Sequence, residues 1–220
     1  MVKYRTSGDA MICGIDEAGR GPVLGDLVIA GLCCNDEDES PLRRIGVRDS
    51  KVLTPRRREE LFKTLTTGYI YEIVSITPSQ IDKLRLRFTL NEIEAMAFAR
   101  IIDKLKPSKA YIDCADVVPK NFRNAIEANL HHECSLIIEH KADERYPVVA
   151  ASSVIAKVTR DAGIKRLSQE YGPMGSGYPS DPATKEFLSR WLREHRSYPP
   201  FARRSWKTAS RAANLSLHDF

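Results

Sequence analysis

Short apolar runs with little polar alternation mark the first part of the chain. Residues 11–15 (MICGI) and 27–34 (LVIAGLCC) have this pattern, which suits strands buried on both faces of a central sheet. The glycine-rich stretch between them predicts an antiparallel hairpin. Residues 67–77 (TGYIYEIVSIT) are rich in β-branched and aromatic side chains and predict a third strand. KAYID at 109–113 and CSLIIE at 134–139 predict a fourth and a fifth.

Elsewhere the period lengthens to that of a helix. Leu90, Ile93, Ala97, Ile101 and Leu105 recur at helical spacing after a capping box running from Thr89 to Glu92, and Pro107 ends the pattern. Further helices are predicted over 121–130, over 148–171 up to Gly172 and Pro173, over 182–195 and over 204–215. Three strands followed by alternating helices and strands predict an α/β fold, a mixed five-stranded sheet flanked by helices. A main domain is expected over 1–178, with a helical C-terminal extension over 179–220 packed on it. NDEDES (35–40) and RRIGVRDSK (43–51) predict a long exposed excursion after the second strand.

Composition narrows the class. The 220 residues are 42% hydrophobic and 29% charged, without a fixed-period repeat or a Gly/Ser tract. No apolar stretch nears the roughly 20 residues of a membrane span, so a soluble globular protein without membrane contact is expected. The first residues show no apolar core before a small-residue cleavage site, which predicts a cytoplasmic location. Five cysteines without a C-x-x-C pair, most of them in apolar segments, predict reduced, packed thiols rather than disulfides or a zinc site.

The net charge is +5, with a pI near 8.9. Between Ser180 and Arg211 eight basic residues stand against three acidic ones. The cationic excess therefore gathers near the C-terminus, as expected of a partner for an anionic polymer.

The candidate chemistry is acidic. Asp16 and Glu17 end the first predicted strand within GIDEAGRGPVLG, Asp113 ends the fourth, and Asp143 lies between the fifth strand and the helix over 148–171. If the first and fourth strands are neighbours, these carboxylates converge at one rim of the sheet. Crowded carboxylates repel unless cations bind between them, and oxygen ligands suit Mg²⁺ or Mn²⁺. Two such ions can activate water and stabilise the leaving oxygen of a phosphodiester. A single strand-end Asp equally serves as a turn former or helix cap, and spacing alone leaves both readings open.

Six blocks in order, DEAGRGP (16–22), DSK (49–51), YID (111–113), KAD (141–143), AASSVIAKVTRD (150–161) and SGYPSDPAT (176–184), resemble the ribonuclease HII family. The resemblance implies a ribonuclease H-like fold in a single self-sufficient chain, a monomer. It implies an endonuclease that cuts the RNA strand of RNA·DNA hybrids and incises 5′ of single ribonucleotides embedded in duplex DNA, leaving 3′-hydroxyl and 5′-phosphate ends. That incision is the first step of ribonucleotide excision repair.

The same match makes Asp16, Glu17, Asp113 and Asp143 the catalytic, metal-binding acids, with Mg²⁺ or Mn²⁺ in a two-metal mechanism. Gly19, Arg20 and Gly21 would touch the 2′-hydroxyl and backbone of the ribonucleotide, and Tyr178 would stack on the following sugar. Ser50, Lys51, Lys157 and Arg160 are further substrate-contact candidates, the cations on phosphates. Trp191, Tyr198, Phe201 and Trp206 are read as the apolar face that docks the extension. The terminal NLSLHDF is a candidate sliding-clamp contact, with a frayed end the simpler reading. A junction resolvase or transposase core would share the acids but not the G-R-G and Tyr178 readers, and an idle binding module would have no need of four acids beside phosphate.

Overall fold

β1 (Met11–Ala18) pairs antiparallel with β2 (Leu27–Asn35) and parallel with β4 (Lys109–Asp113), which pairs parallel with β5 (Ser135–Glu139). With β3 (Ile70–Ile76) the sheet order is β3-β2-β1-β4-β5. The structure, a computed structural model, describes residues 11–35, 40–47 and 53–206. Around the strands run α1 (Ser40–Arg44), α2 (Pro55–Gly68), α3 (Pro78–Leu84), α4 (Leu90–Leu105), α5 (Pro119–Glu127), α6 (Ala142–Arg145), α7 (Pro147–Tyr171) and α8 (Pro182–His195).

The chain forms two compact units. The first comprises the described residues within Met1–Ala18, Val28–Val74 and Thr89–Val158. Its core joins Ile12, Val28, Ala30 and Leu32 of the sheet to Leu61 and Leu65 of α2 and to Val148, Ala151, Val154 and Ile155 of α7. Gly14 explains how close α7 lies to β1: a Cβ there would stand 2.2 Å from the Val148 carbonyl carbon. Small residues across AASS keep that contact free of bulk, and the Ser152 hydroxyl donates to the Gly14 oxygen at 2.7 Å.

The second unit comprises the described residues within Gly19–Leu27, Ser75–Phe88 and Thr159–Phe220. Val23, Leu24, Ile164, Met174, Phe187, Leu188, Phe201 and Ala202 form its core, with Trp191, Tyr198 and Trp206 packed against it. The aromatic residues of the C-terminal region are thus packing groups, as expected.

Local signals place several elements. Thr89 and Glu92 form the anticipated capping box of α4, and α8 has the expected bounds, opened by Asp181 accepting the Ala183 N–H at 2.9 Å. Three expectations need correction. Residues 67 and 68 close α2 rather than open β3; α2, highly charged with only Leu61 and Leu65 buried, has too thin an apolar stripe to stand out in sequence. The region after β2 is not wholly exposed, because Leu42 and Val47 are buried. Arg204 and Ser205 form a turn and Trp206 a bend rather than the start of a helix, and residues 207–215 of the helix expected over 204–215 lie outside the described residues.

Candidate active site

The carboxylates meet because of register. Ile15 pairs with Ile112 in the parallel β1–β4 ladder, so the next residues lie side by side: Asp113 at the end of β4, and Asp16 within β1, which runs on through Glu17 to Ala18 in its ladder with β2 rather than stopping at Ile15 as expected. Asp16 is buried and its Oδ1 accepts the Glu17 N–H at 2.7 Å. Burial, then the charges of Glu17 and Asp113, push its carboxyl well above the usual range, against hydrogen bonds from the Ser153 hydroxyl and the Glu17 N–H. The electrostatic tension expected from the sequence is therefore present at this sheet rim.

Asp113 also reaches the next element. Its Oδ1 accepts the Ala142 N–H at 2.8 Å. That bond ties β4 to α6, the short helix that carries the buried Asp143, so Asp143 belongs to a helical turn rather than the open loop expected. Among the described residues, no three His, Cys, Asp or Glu side chains are closed into a ready cage for an ion. The donor set still fits a hard divalent cation in kind: every candidate ligand is a carboxylate, and a cation would relieve the repulsion that raises Asp16.

The other predicted readers assemble in the second unit. Gly19 has φ +87°, and a Cβ there would lie 2.6 Å from the Asp26 carbonyl oxygen, so only glycine suits this start of the G-R-G loop. The Tyr178 ring lies against Gly21, its Cε1 3.5 Å from where a Cβ would stand. The Arg160 guanidinium sits 5.1 Å from the centroid of that ring.

Arg160 does not occupy the surface position expected of a phosphate contact. Its side chain is 3% exposed, bonded to Asp161 at 3.1 Å and to the Ser176 carbonyl. Burial inside a helix-packed segment makes it a support for Tyr178. Lys157 is half-buried on α7. Ser50 and Lys51 lie outside the described residues.

Sequence reasoning overlooked four supports. Ser153 bonds Asp16; its signal was a polar pair inside a buried apolar run. Thr184, fully buried, accepts the Gly177 N–H at 2.9 Å and donates to the Met174 oxygen, fixing the chain just before Tyr178. Arg203, one of the eight basic residues between Ser180 and Arg211, is fully buried and donates to carbonyls of Gly19, Arg20 and Gly25. Trp206 donates from Nε1 to the Gly21 oxygen at 3.2 Å. Only three-dimensional proximity marks the last two.

Comparison with known proteins gives the family and the fold. The family model for ribonuclease HII matches residues 13–209. The chain belongs to the ribonuclease HII family. It is an endonuclease with ribonuclease H activity on RNA·DNA hybrids. Ribonuclease HII of Pyrococcus horikoshii is 48% identical over 201 residues, 90% of each chain. The crystal structure of ribonuclease H2 from P. horikoshii OT3 superposes with a TM-score of 0.88 at 45% identity, covering 94% of this chain and 99% of that one. The ribonuclease HII in a PCNA complex from Archaeoglobus fulgidus gives 0.82 at 44% identity, covering 90% and 95%. The fold is thus the ribonuclease H-like one expected.

Proposed function

We propose that this ribonuclease HII incises on the 5′ side of single ribonucleotides in duplex DNA as well as within RNA·DNA hybrids, leaving 3′-hydroxyl and 5′-phosphate ends and opening ribonucleotide excision repair. The observation that carries the reading is the adjoining position of Asp16, late in β1 with Glu17 next in chain, and Asp113, the last residue of β4. Asp16, Glu17, Asp113 and Asp143 would hold Mg²⁺ or Mn²⁺, in a two-metal mechanism. Bound divalent metal supplies an activated water and positive charge at the phosphodiester.

The remaining work falls to the chain's own groups. Ser153 orients the Asp16 carboxylate, and the Ala142 N–H orients that of Asp113. Gly19, Arg20 and Gly21 offer main chain at which a 2′-hydroxyl, the group that separates RNA from DNA, is recognised. The Tyr178 ring, placed on Gly21 and backed by Arg160, would stack on the sugar that follows. Lys157, with Ser50 and Lys51, would contact the backbone. In this reading 1–178 is the catalytic domain and 179–220 an extension carrying much of the duplex-binding charge.

The enzyme would act as a cytoplasmic monomer. Among the described residues no helix is long and apolar enough to cross a membrane. The Archaeoglobus relative in complex with PCNA supports a sliding-clamp contact here, for which the terminal NLSLHDF, outside the described residues, is the candidate.

The deciding assay uses a labelled duplex with one ribonucleotide, an all-DNA control and an RNA·DNA hybrid, each with Mg²⁺, Mn²⁺ or chelator. Metal-dependent incision 5′ of the lone ribonucleotide is expected. Cleavage of the hybrid alone would remove the junction-reading roles of Arg20 and Tyr178 while leaving the acids in place.

A further inference from the structure

Arg203 is a fully buried cation whose fork is spent on main-chain oxygens. Nε donates to the Gly25 oxygen at 3.1 Å, Nη1 to the Arg20 oxygen at 3.0 Å, and Nη2 to the oxygens of Gly19 at 2.6 Å and Gly25 at 2.9 Å. Burying a guanidinium is costly, and burial, with the nearby charge of Arg160, pulls it down to about 10 while Asp26 opposes. Only a planar fork with several fixed donors satisfies three carbonyls at once. The segment that carries it is itself pinned: the Arg203 N–H donates to the Val23 oxygen at 2.8 Å, and the Gly25 N–H to the Phe201 oxygen at 2.9 Å.

Trp206 completes the frame. The Arg203 guanidinium lies 4.9 Å from its ring centroid, and its Nε1 holds the Gly21 oxygen. All three carbonyls of Gly19, Arg20 and Gly21 are therefore drawn to one pair of side chains. In a planar trans peptide the N–H opposes the preceding carbonyl. Taking the Gly19 and Arg20 oxygens turns the N–H groups of Arg20 and Gly21 the other way.

We propose that Arg203 and Trp206 are positioning residues for ribonucleotide recognition, holding the G-R-G loop so that the N–H groups of Arg20 and Gly21 face the 2′-hydroxyl of the substrate. This rests on the ribonucleotide-reading assignment above and names the device that presents the reader. Neither side chain touches substrate. Both act through the loop, one from within the fold and one from its edge.

The test is fluorescence anisotropy in chelator, comparing affinity for a duplex with one ribonucleotide against the all-DNA duplex of the same sequence. General damage to the fold weakens both affinities together, whereas a misplaced loop lowers their ratio. Arg203→Met is expected to cut the ratio by about tenfold and Trp206→Phe, which loses one hydrogen bond, by about threefold. Arg203→Lys, with a point charge in place of the fork, should restore only part of the Arg203→Met loss. Circular dichroism confirms folding, and if Arg203→Met does not fold, Trp206→Phe decides. A ratio unchanged in Trp206→Phe and in every folded Arg203 variant would overturn the proposal. A unit ratio in the unaltered protein would instead overturn the ribonucleotide-reading assignment, and the proposal with it.

Discussion

The Oδ1 atom of Asp113 accepts the Ala142 N–H, while the same carboxylate's charge bears on Asp16. Asparagine keeps the first relation and loses the second. Asp113→Asn is therefore expected to fold with a Tm within about 3 °C of the parent and to lose turnover. Retained cleavage would remove Asp113 from the metal set, and a large drop in Tm would show that its charge is structural. Gly14 offers the opposite case. A methyl there meets the backbone of Val148 at 2.2 Å, which neither helix nor strand can yield cheaply. Gly14→Ala should destabilise by about 3 kcal/mol or more, read as a shift in denaturant midpoint, without altering any charged group.

Among the elements, α4 is secured at its far end by Asp103. Its carboxylate accepts the N–H groups of His131 at 2.9 Å and His132 at 2.8 Å and bonds His131 Nδ1 at 2.9 Å. Partial burial pushes this carboxyl up, but those hydrogen bonds outweigh it and hold it below its usual value. A depressed folded value means stability that is present above the unfolded carboxylate range and lost as pH falls through the folded one. Asp103→Asn should thus lower Tm at pH 7, with the difference shrinking steadily toward pH 3. A difference constant across that range would contradict the assignment. The elements that sequence located well, α4 and α8, carry their caps in neighbouring residues, Thr89 with Glu92 and Asp181 with Ala183. Those it missed are α1, α2, α3 and α6: α2 has weak periodicity, α1 and α6 are short, and α3 buries only Pro78 and Ile81 although Thr77 and Gln80 form a capping box there.

For the whole molecule, the C-terminal charge predicts salt-dependent binding. Lys185 and Arg193 are exposed on α8, whereas Arg203 is withdrawn into the interior. Replacing Lys185 and Arg193 with glutamine should reduce the slope of log K against log salt by about one for each phosphate no longer neutralised. An unchanged slope would mean that α8 does not lie along the duplex.

The sequence by itself determined the strands' order along the chain, their apolar character, the family blocks and the acids carried late in β1 and at the end of β4, because each depends on residues within a few positions of one another. It also located the glycines of the loop. Tertiary structure alone decided that β4 lies beside β1, which brings Asp113 to Asp16. It alone separated the cations into exposed ones and the buried pair Arg160 and Arg203, which composition cannot distinguish. Arg203 reaches the Gly19 oxygen across 184 residues of chain. Nothing local encodes such a contact: the collapse of the second unit's core brings the guanidinium to the loop, and the unsatisfied carbonyls there hold it.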